Sequence, residues 1–290
     1  MDVQFGVDFP HIEIGADPAG VRAYAQAAQD LGYKHVLAYD HVLGADRSSH
    51  PGFEGVYGAE DSFHEPFVLF GHLAAVAPKL GFITGILIVT QRPTALVAKQ
   101  AAELDILTGG KFRLGVGQGW NAVEHEALGV PFRGRHRRLE EQITLLRKLW
   151  QEPVVTFEGE FDRIVAAGIN PLPVQRPIPI WIGAASEPAV KRAARIGDGW
   201  LPNRPLAGGW DSTFEQLHSW LVEFGRDPSM FGIEARVDVS RGTPDDWRRD
   251  ADEWRARSAT HISVKTIRGG HVGPDAQIAR ITDAAEALFS

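Results

Sequence analysis

Short apolar runs alternate with longer amphipathic stretches along the chain, and this alternation constrains the fold more than any other feature. Eight runs have the length and composition of strands, and they lie at residues 3–9, 35–39, 80–90, 112–116, 178–183, 199–201, 233–239 and 260–264. Several are apolar at nearly every position, which is typical of parallel strands covered on both faces. The sequence therefore predicts a parallel sheet with helices packed against it.

Helix signals fill the intervals between these runs. Asp17 and Pro18 form an N-cap followed by a first-turn proline, and Thr243 precedes Pro244 in the same way. Eight β–α alternations in 290 residues predict one (β/α)8 TIM barrel, which would form a single domain over residues 1–290. The alternative is a doubly wound open sheet.

Two connections are longer than a barrel needs. One covers residues 42–65 and is rich in Gly, Ser and His. The other is an insertion between strands 4 and 5, over residues 118–177, and it contains a helix with Leu139, Ile143, Leu146 and Trp150 on one stripe. Long connections of this kind are usually functional covers, although a decorative loop is the alternative.

Composition excludes several classes of protein. Asp and Glu outnumber Lys and Arg by 37 to 30, which argues against a nucleic-acid-binding surface. Cys is absent, so disulfides, thiolate metal sites and cysteine nucleophiles are excluded. The longest apolar stretch is about half of the roughly 20 residues that a membrane helix needs. With no visible secretory signal at the start, we expect a cytoplasmic protein that does not bind membranes.

Candidate functional residues follow the predicted strands, where the active site of a barrel lies. Asp40 and His41 follow the second strand, and a His there could move a proton at neutral pH or simply bond to backbone. Gly117 and Gly119 follow the fourth strand, without the spacing of a dinucleotide fingerprint, and would let a flat ligand or a phosphate approach the backbone.

Small residues follow the fifth strand, in the order Gly183, Ala184, Ala185 and Ser186. This turn opens a helix, so it suits either a phosphate or a plain N-cap by the serine. The 11 histidines include no metal-binding spacing, and we expect no metal site. The pairs His64-Glu65 and His125-Glu126 are interpreted as solvated surface.

A set of short motifs resembles the bacterial luciferase-like family, and in particular its F420-dependent oxidoreductases. The motifs are TGILIV at 84–89, QRP at 91–93, GGKFRLGVGQGW at 109–120, RGR at 133–135, LLRKLW at 145–150, PIWIG at 179–183 and AARIGDGW at 193–200. The resemblance covers most of residues 3–203. It implies a barrel that holds a flavin-like ring at the carboxyl ends of its strands, and it implies a homodimer.

The resemblance also implies roles for individual residues. A non-proline cis peptide in the third strand would be Gly85–Ile86 and would support the ring. Asp40 would lie near the cofactor, and His41 would face the reacting substrate as the acid or base. The remaining cofactor-binding candidates are Gly117, Asn121, Arg135, His136, Gly183, Ala184, Ala185 and Ser186.

One position departs from the family pattern. Trp120 stands where some sugar-phosphate members have a catalytic Glu, and Trp cannot donate a proton as a carboxylic acid does. We expect the substrate to dock against Phe9, His11, His41 and Trp120. The favoured function is hydride transfer between F420 and a small organic substrate. The alternatives are an FMN-dependent monooxygenase and a cofactor-binding barrel without catalysis.

Overall fold

A computed structural model describes residues 2–289 and has eleven strands in these residues. They are β1 (Gln4–Asp8), β2 (His35–Ala38), β3 (Gly81–Thr84), β4 (Leu87–Ile88), β5 (Phe112–Gly117), β6 (Val155–Glu158), β7 (Arg163–Ala167), β8 (Ile180–Ala184), β9 (Gly199–Pro202), β10 (Gly232–Asp238) and β11 (His261–Lys265). All but β6 and β7 belong to one parallel sheet. This sheet closes because β3, at one end of the strand order, also pairs with β5 near the other end.

Helices cover the outside of the closed sheet. They are α1 (Pro18–Asp30), α2 (Pro66–Val76), α3 (Thr94–Leu107), α4 (Ala122–Ala127), α5 (Arg135–Gln151), α6 (Glu187–Ile196), α7 (Gly209–Glu223), α8 (Pro244–Ala256) and α9 (Pro274–Leu288). Asp17 caps α1, and a capping box of Thr243 and Asp246 starts α8. The fold is a (β/α)8 barrel, as predicted.

The predicted third strand, residues 80–90, is wrong as one continuous element. It is divided into β3 and β4, which occupy one position in the barrel because both pair with β5. The peptide bond between them, Gly85–Ile86, is cis, as the resemblance implied. A 3-10 turn, Val89–Gln91, follows β4.

The insertion after β5 contains more structure than the sequence indicated. Helix α5 was predicted from its apolar stripe, but the antiparallel hairpin of β6 and β7 was not. Helix α7, which lies outside this insertion, was not predicted from the sequence either. The connection over residues 42–65 forms no helix or strand, and a single bridge between Ala45 and Gly58 closes it on itself.

Two layers fill the lower and middle parts of the barrel interior. The middle layer is apolar and consists of Leu37, Ile83, Trp181 and Leu201. The layer below it is charged, since Glu234 accepts hydrogen bonds from His35 at 2.8 Å and from Arg113 at 2.9 Å. Burial alone would raise the pKa of Glu234, but these two neighbours outweigh burial and hold its pKa well below the usual range.

None of the helices within residues 2–289 has the length and apolar character needed to cross a membrane.

Candidate active site

His41 lies at the carboxyl end of the barrel strands, shortly after β2. Its ring packs edge-on against Phe63 at 4.6 Å, Tyr57 at 5.2 Å and Trp120 at 5.7 Å between ring centroids. We call these four residues the aromatic cluster. Trp120 is 42 % exposed and also packs on Phe53, so it shapes the outer edge of the site. The cluster leaves His41 slightly accessible to solvent, with a side-chain exposure of 10 %.

A buried carboxylate lies behind His41. Oε2 of Glu124, in α4, is 3.9 Å from Nδ1 of His41 and accepts a hydrogen bond from Gln91 at 3.0 Å. Oε1 accepts from the backbone N–H groups of Val42 and Leu43. Burial would raise the pKa of Glu124, but His41 and these three hydrogen-bond donors outweigh it and hold the pKa below its usual value. A charged carboxylate therefore faces the imidazole, where it can stabilise a protonated His41.

The residues around Glu124 fix its helix against the loop after β2. Asn121 caps α4 by accepting from Val123 and Glu124, and its amide donates to the carbonyl of Leu43 at 3.3 Å. Asn121 is 1 % exposed, so its side chain positions the loop and does not face an open site.

The interpretation of His125 as solvated surface is wrong. Its side chain is fully buried, with Nδ1 3.0 Å from Gln91 and Nε2 3.3 Å from Thr90. Glu65 is partly exposed, with a side-chain exposure of 34 %, but it also caps α2 and forms an ion pair with Arg92. A polar residue in a helical or capping position gives no sign of which way it faces, so the sequence did not reveal either contact.

Asp40 is buried, and both of its oxygens have partners in the protein. One accepts from the backbone N–H of Ile88 at 2.9 Å, and the other accepts from Arg92 at 2.8 Å. The carboxylate thus holds β4 in place, directly after Ile86. Burial raises the pKa of Asp40, although Arg92 opposes this.

Phe9 and His11 lie behind the aromatic cluster, and both side chains are fully buried. Nε2 of His11 is 3.1 Å from the N–H of Tyr39, and Nδ1 is 3.1 Å from the N–H of His64. A neutral imidazole has one acceptor nitrogen, so it can accept only one of these two N–H groups. Burial lowers the pKa of His11 to about 3. In the structure both residues support the wall behind the aromatic cluster, and their contact with substrate stays a prediction.

Glycines provide flat surface on the floor of the barrel mouth. A Cβ atom on Gly117 would lie 2.5 Å from the Ile86 side chain, and one on Gly183 would lie 2.7 Å from it. Only glycine leaves room for Ile86 to lie across both strands. This arrangement fits a flat ring better than a rounded ligand.

The turn after β8 suits an anion. Ser186 precedes α6, is exposed, and makes no capping hydrogen bond with its side chain. Its hydroxyl is therefore open to a phosphate. In the first turn of α6, Pro188 has no N–H and the N–H groups of Ala189 and Val190 donate to the Ser186 carbonyl, so the N–H of Glu187 is the one left for an anion. Ala184 is the last residue of β8, and the carbonyl of Ala185 accepts from Arg204 at 3.2 Å, which brings a cation to the turn.

The two basic candidates on α5 differ in their surroundings. Arg135 donates to the carbonyls of Gly119 and Phe132, and its guanidinium lies 3.7 Å from the centroid of the Phe132 ring. Through these contacts Arg135 stabilises the loop after β5. His136 is exposed on the first turn of the same helix.

A cavity of about 310 Å³ opens beside His41. Its lining is His41, Val42, Leu43, Gly44, Tyr57, Gly58, Ala59, Asp61 and Phe63. The cavity adjoins the candidate acid or base and is large enough for a small organic molecule. No cluster of His, Asp and Glu within residues 2–289 is arranged to hold a metal ion.

Comparison with known proteins places this site in a family. The model of the luciferase-like monooxygenases matches residues 5–287. The chain belongs to the luciferase-like monooxygenase family. An uncharacterized protein of Mycobacterium tuberculosis is 37 % identical over 182 residues, which are 61 % of this chain and 62 % of that protein. The chain thus matches less than two thirds of that relative's length.

Luciferase-like relatives with named activities include both cofactor types. An F420-dependent hydroxymycolic acid dehydrogenase of M. tuberculosis is 31 % identical, over 80 % of this chain and 62 % of that protein. An FMNH(2)-dependent dimethylsulfone monooxygenase of Pseudomonas putida is 32 % identical, over 78 % and 60 %. The F420-dependent tetrahydromethanopterin reductase of Methanopyrus kandleri shares the fold, with a TM-score of 0.75, 15 % identity and coverage of 100 % and 99 %. Both F420-dependent and FMNH(2)-dependent enzymes thus occur among the relatives of this chain.

Proposed function

We propose that this luciferase-like protein is an F420-dependent oxidoreductase that moves a hydride between the deazaflavin C5 and a small organic substrate. The observation that supports this function best is His41 at the barrel mouth, held against the buried charge of Glu124. Such a pair can accept or return the proton of a substrate hydroxyl while the hydride moves. The Asp-His sequence after β2 resembles the F420-dependent branch of the family.

The other candidate residues form two groups, one that would contact the ring of the cofactor and one that would bind its phosphate. Gly117, Gly183 and Ile86 would form the surface beneath the ring, next to the cis bond at Gly85. Ala184, Ala185 and Ser186 would bind the phosphate, with His136 as a further positive group when protonated. Asp40, Asn121 and Arg135 would support these parts through the contacts described above. The deazaflavin supplies the reactive carbon, and the protein supplies orientation and a proton route.

The second candidate function is an FMN-dependent monooxygenase. Trp120 favours it over a sugar-phosphate dehydrogenase, because an indole cannot replace a carboxylic acid as proton donor. The dimethylsulfone monooxygenase relative shows that FMNH(2)-dependent chemistry occurs among similar chains. A barrel that binds cofactor without catalysis is the third candidate, and turnover of any substrate would exclude it.

Titration of the purified apo-protein with F420 and separately with FMN tests the proposal. We expect fluorescence to report tight binding of F420 and binding of FMN that is at least tenfold weaker. Tight binding of FMN alone would support the FMN-dependent monooxygenase instead. Binding of neither cofactor would contradict both functions. The variant His41→Ala should retain F420 binding and lose turnover by about 10²- to 10⁴-fold, the usual contribution of general acid–base catalysis.

We further propose a homodimer and a single domain over residues 1–290, and light scattering with limited proteolysis tests both. The cytoplasmic location stays a prediction.

A further inference from the structure

A polar group lies inside the barrel at its mouth, above the apolar layer of Leu37, Ile83, Trp181 and Leu201. Asp8, the last residue of β1, is fully buried, and its Oδ2 accepts a hydrogen bond from the Tyr39 hydroxyl. Arg236 reaches the same oxygen from β10, with Nε at 3.4 Å. The guanidinium carbon also lies 5.5 Å from the centroid of the Tyr39 ring. Two neighbours therefore hold Arg236 in one position.

This group is incompletely satisfied. Oδ1 of Asp8 and Nε of Arg236 are both buried and have no hydrogen-bond partner of good geometry. Buried polar atoms without partners are rare in folded proteins and call for an explanation in each case. A structural ion pair would be expected to use these atoms, as Glu234 does with both of its oxygens at the lower end of the barrel.

Arg236 also reaches the floor of the mouth. Its Nη2 lies 3.5 Å from the carbonyl oxygen of Gly85, the residue at which β3 is interrupted. The side chain is 19 % exposed. It therefore adjoins the surface that Ile86, Gly117 and Gly183 form.

We propose that Arg236, held by Asp8 and Tyr39, supplies the positive charge that stabilises the reduced state of the bound cofactor. This inference rests on the proposed function. Arginine suits the role because it stays charged at every physiological pH and presents several fixed N–H groups. Charge beside the ring is one of the means by which a protein adjusts the electronics of a flavin-like cofactor.

The charge balance of the reaction explains why a positive charge at this position would favour the reduced cofactor. A substrate alcohol that becomes a ketone loses one hydride, which is two electrons and one proton, and one further proton. The hydride adds one negative charge to the ring region, and the proton passes to His41. A fixed cation next to the ring would favour this state over the oxidised one, which carries one negative charge fewer.

Affinity for the two redox states of the cofactor tests the inference. The variants are Arg236→Gln, Arg236→Lys and the double variant Asp8→Asn/Arg236→Gln, which leaves no unpaired buried charge if the single variant fails to fold. Arg22→Gln is the matched control, since it removes one positive charge from an exposed position on α1. The measurements are the Kd of the apo-protein for oxidised and reduced F420, and the midpoint potential of the bound cofactor.

We expect Arg236→Gln and the double variant to lower the preference for reduced over oxidised F420 by about tenfold, which is a potential about 30 mV more negative for a two-electron couple. Arg236→Lys should recover part of this change, and Arg22→Gln should show none. A preference within twofold of wild type in the Gln and double variants would overturn the inference while leaving the proposed function intact. Failure of the wild-type protein to bind F420 would instead overturn the proposed function. If FMN is the cofactor that binds, the same variants are compared with oxidised and reduced FMN.

Discussion

Nδ1 of His41 lies 3.9 Å from Oε2 of Glu124, and only the histidine of this pair retains access to the barrel mouth. The carboxylate is fixed by Gln91 and by two backbone N–H groups, so it cannot turn away from the ring. A buried carboxylate that orients a histidine is a recurring arrangement in acid–base catalysis. The pair therefore supplies both an orientation and a counter-charge for His41.

The variant Glu124→Gln tests this pair. Removing the charge should lower kcat by at least about tenfold, because a carboxylate 3.9 Å from the imidazole stabilises, through its charge, the positive charge that develops on His41. The Kd for F420 should stay within threefold of wild type, because Glu124 faces His41 and the backbone of the following loop. Glu126→Gln is the control, since Glu126 is exposed on the same helix. An equal loss of kcat in both variants would contradict the pairing.

The variant Asp40→Asn separates a structural role from direct contact with cofactor. Asp40 pairs with Arg92 and holds the N–H of Ile88, and breaking a buried ion pair costs about 3–5 kcal/mol. We expect the free energy of unfolding in urea and the affinity for F420 to fall together. Weaker binding at unchanged stability would instead indicate direct contact. Glu65→Gln, at the more exposed partner of Arg92, should cost less than about 1 kcal/mol.

The variant Gly183→Ala tests the flat floor of the mouth. The new Cβ would lie 2.7 Å from the Ile86 side chain, so Ile86 must move into the space assigned to the ring. We expect F420 to bind at least tenfold more weakly, measured by fluorescence titration. Gly71→Ala in α2 is the control, because a Cβ there meets no neighbouring atom. It should leave binding unchanged and stabilise the protein by about 0.5–1 kcal/mol.

Acid should destabilise the lower end of the barrel through Glu234. The pKa of this residue is low in the folded protein, whereas an unfolded chain gives Glu a pKa of about 4.3. Its contribution is therefore complete above that value and is lost as the pH falls through it towards the folded pKa. Glu234→Gln should lower the free energy of unfolding at pH 7 by about 3 kcal/mol and flatten its decline in acid.

Urea unfolding between pH 7 and pH 3 measures this effect. The exposed Glu215→Gln serves as control and should follow the wild-type curve. A wild-type stability in Glu234→Gln at both pH values would show that His35 and Arg113 do not depend on this carboxylate.

The barrel was predictable because its strands and helices depend on local periodicity. The positions of Asp40, His41 and Gly183 at strand ends followed from the same pattern. Periodicity did not predict that residues 80–90 divide into two strands, because the apolar run continues through Gly85 and Ile86. The resemblance supplied that break.

Glu124 was missed because its partners are distant in sequence and include backbone N–H groups. Its only local signal is Asn121 three residues earlier, which resembles the start of a capped helix and gives no hint of a contact with His41. Arg236 was missed for a similar reason. Glu234, Arg236 and Asp238 alternate along β10, which places them on one face of the strand but does not show which neighbours Arg236 meets across the barrel.

The bridge between Ala45 and Gly58 divides the connection after β2 into two parts. We call residues 42–44 the base and residues 46–57 the lobe. The base, at Val42 and Leu43, is fixed by Glu124, and a side chain on Gly44 would collide with the carbonyl of Gly58 at 2.1 Å. The lobe between the two ends has no contact with Glu124. It is held instead by Arg268, which donates to the carbonyl of Val56 at 2.7 Å, and it reaches the cavity through Tyr57. Substitutions in the lobe can therefore change the range of substrates during evolution while the chemistry of His41 stays the same.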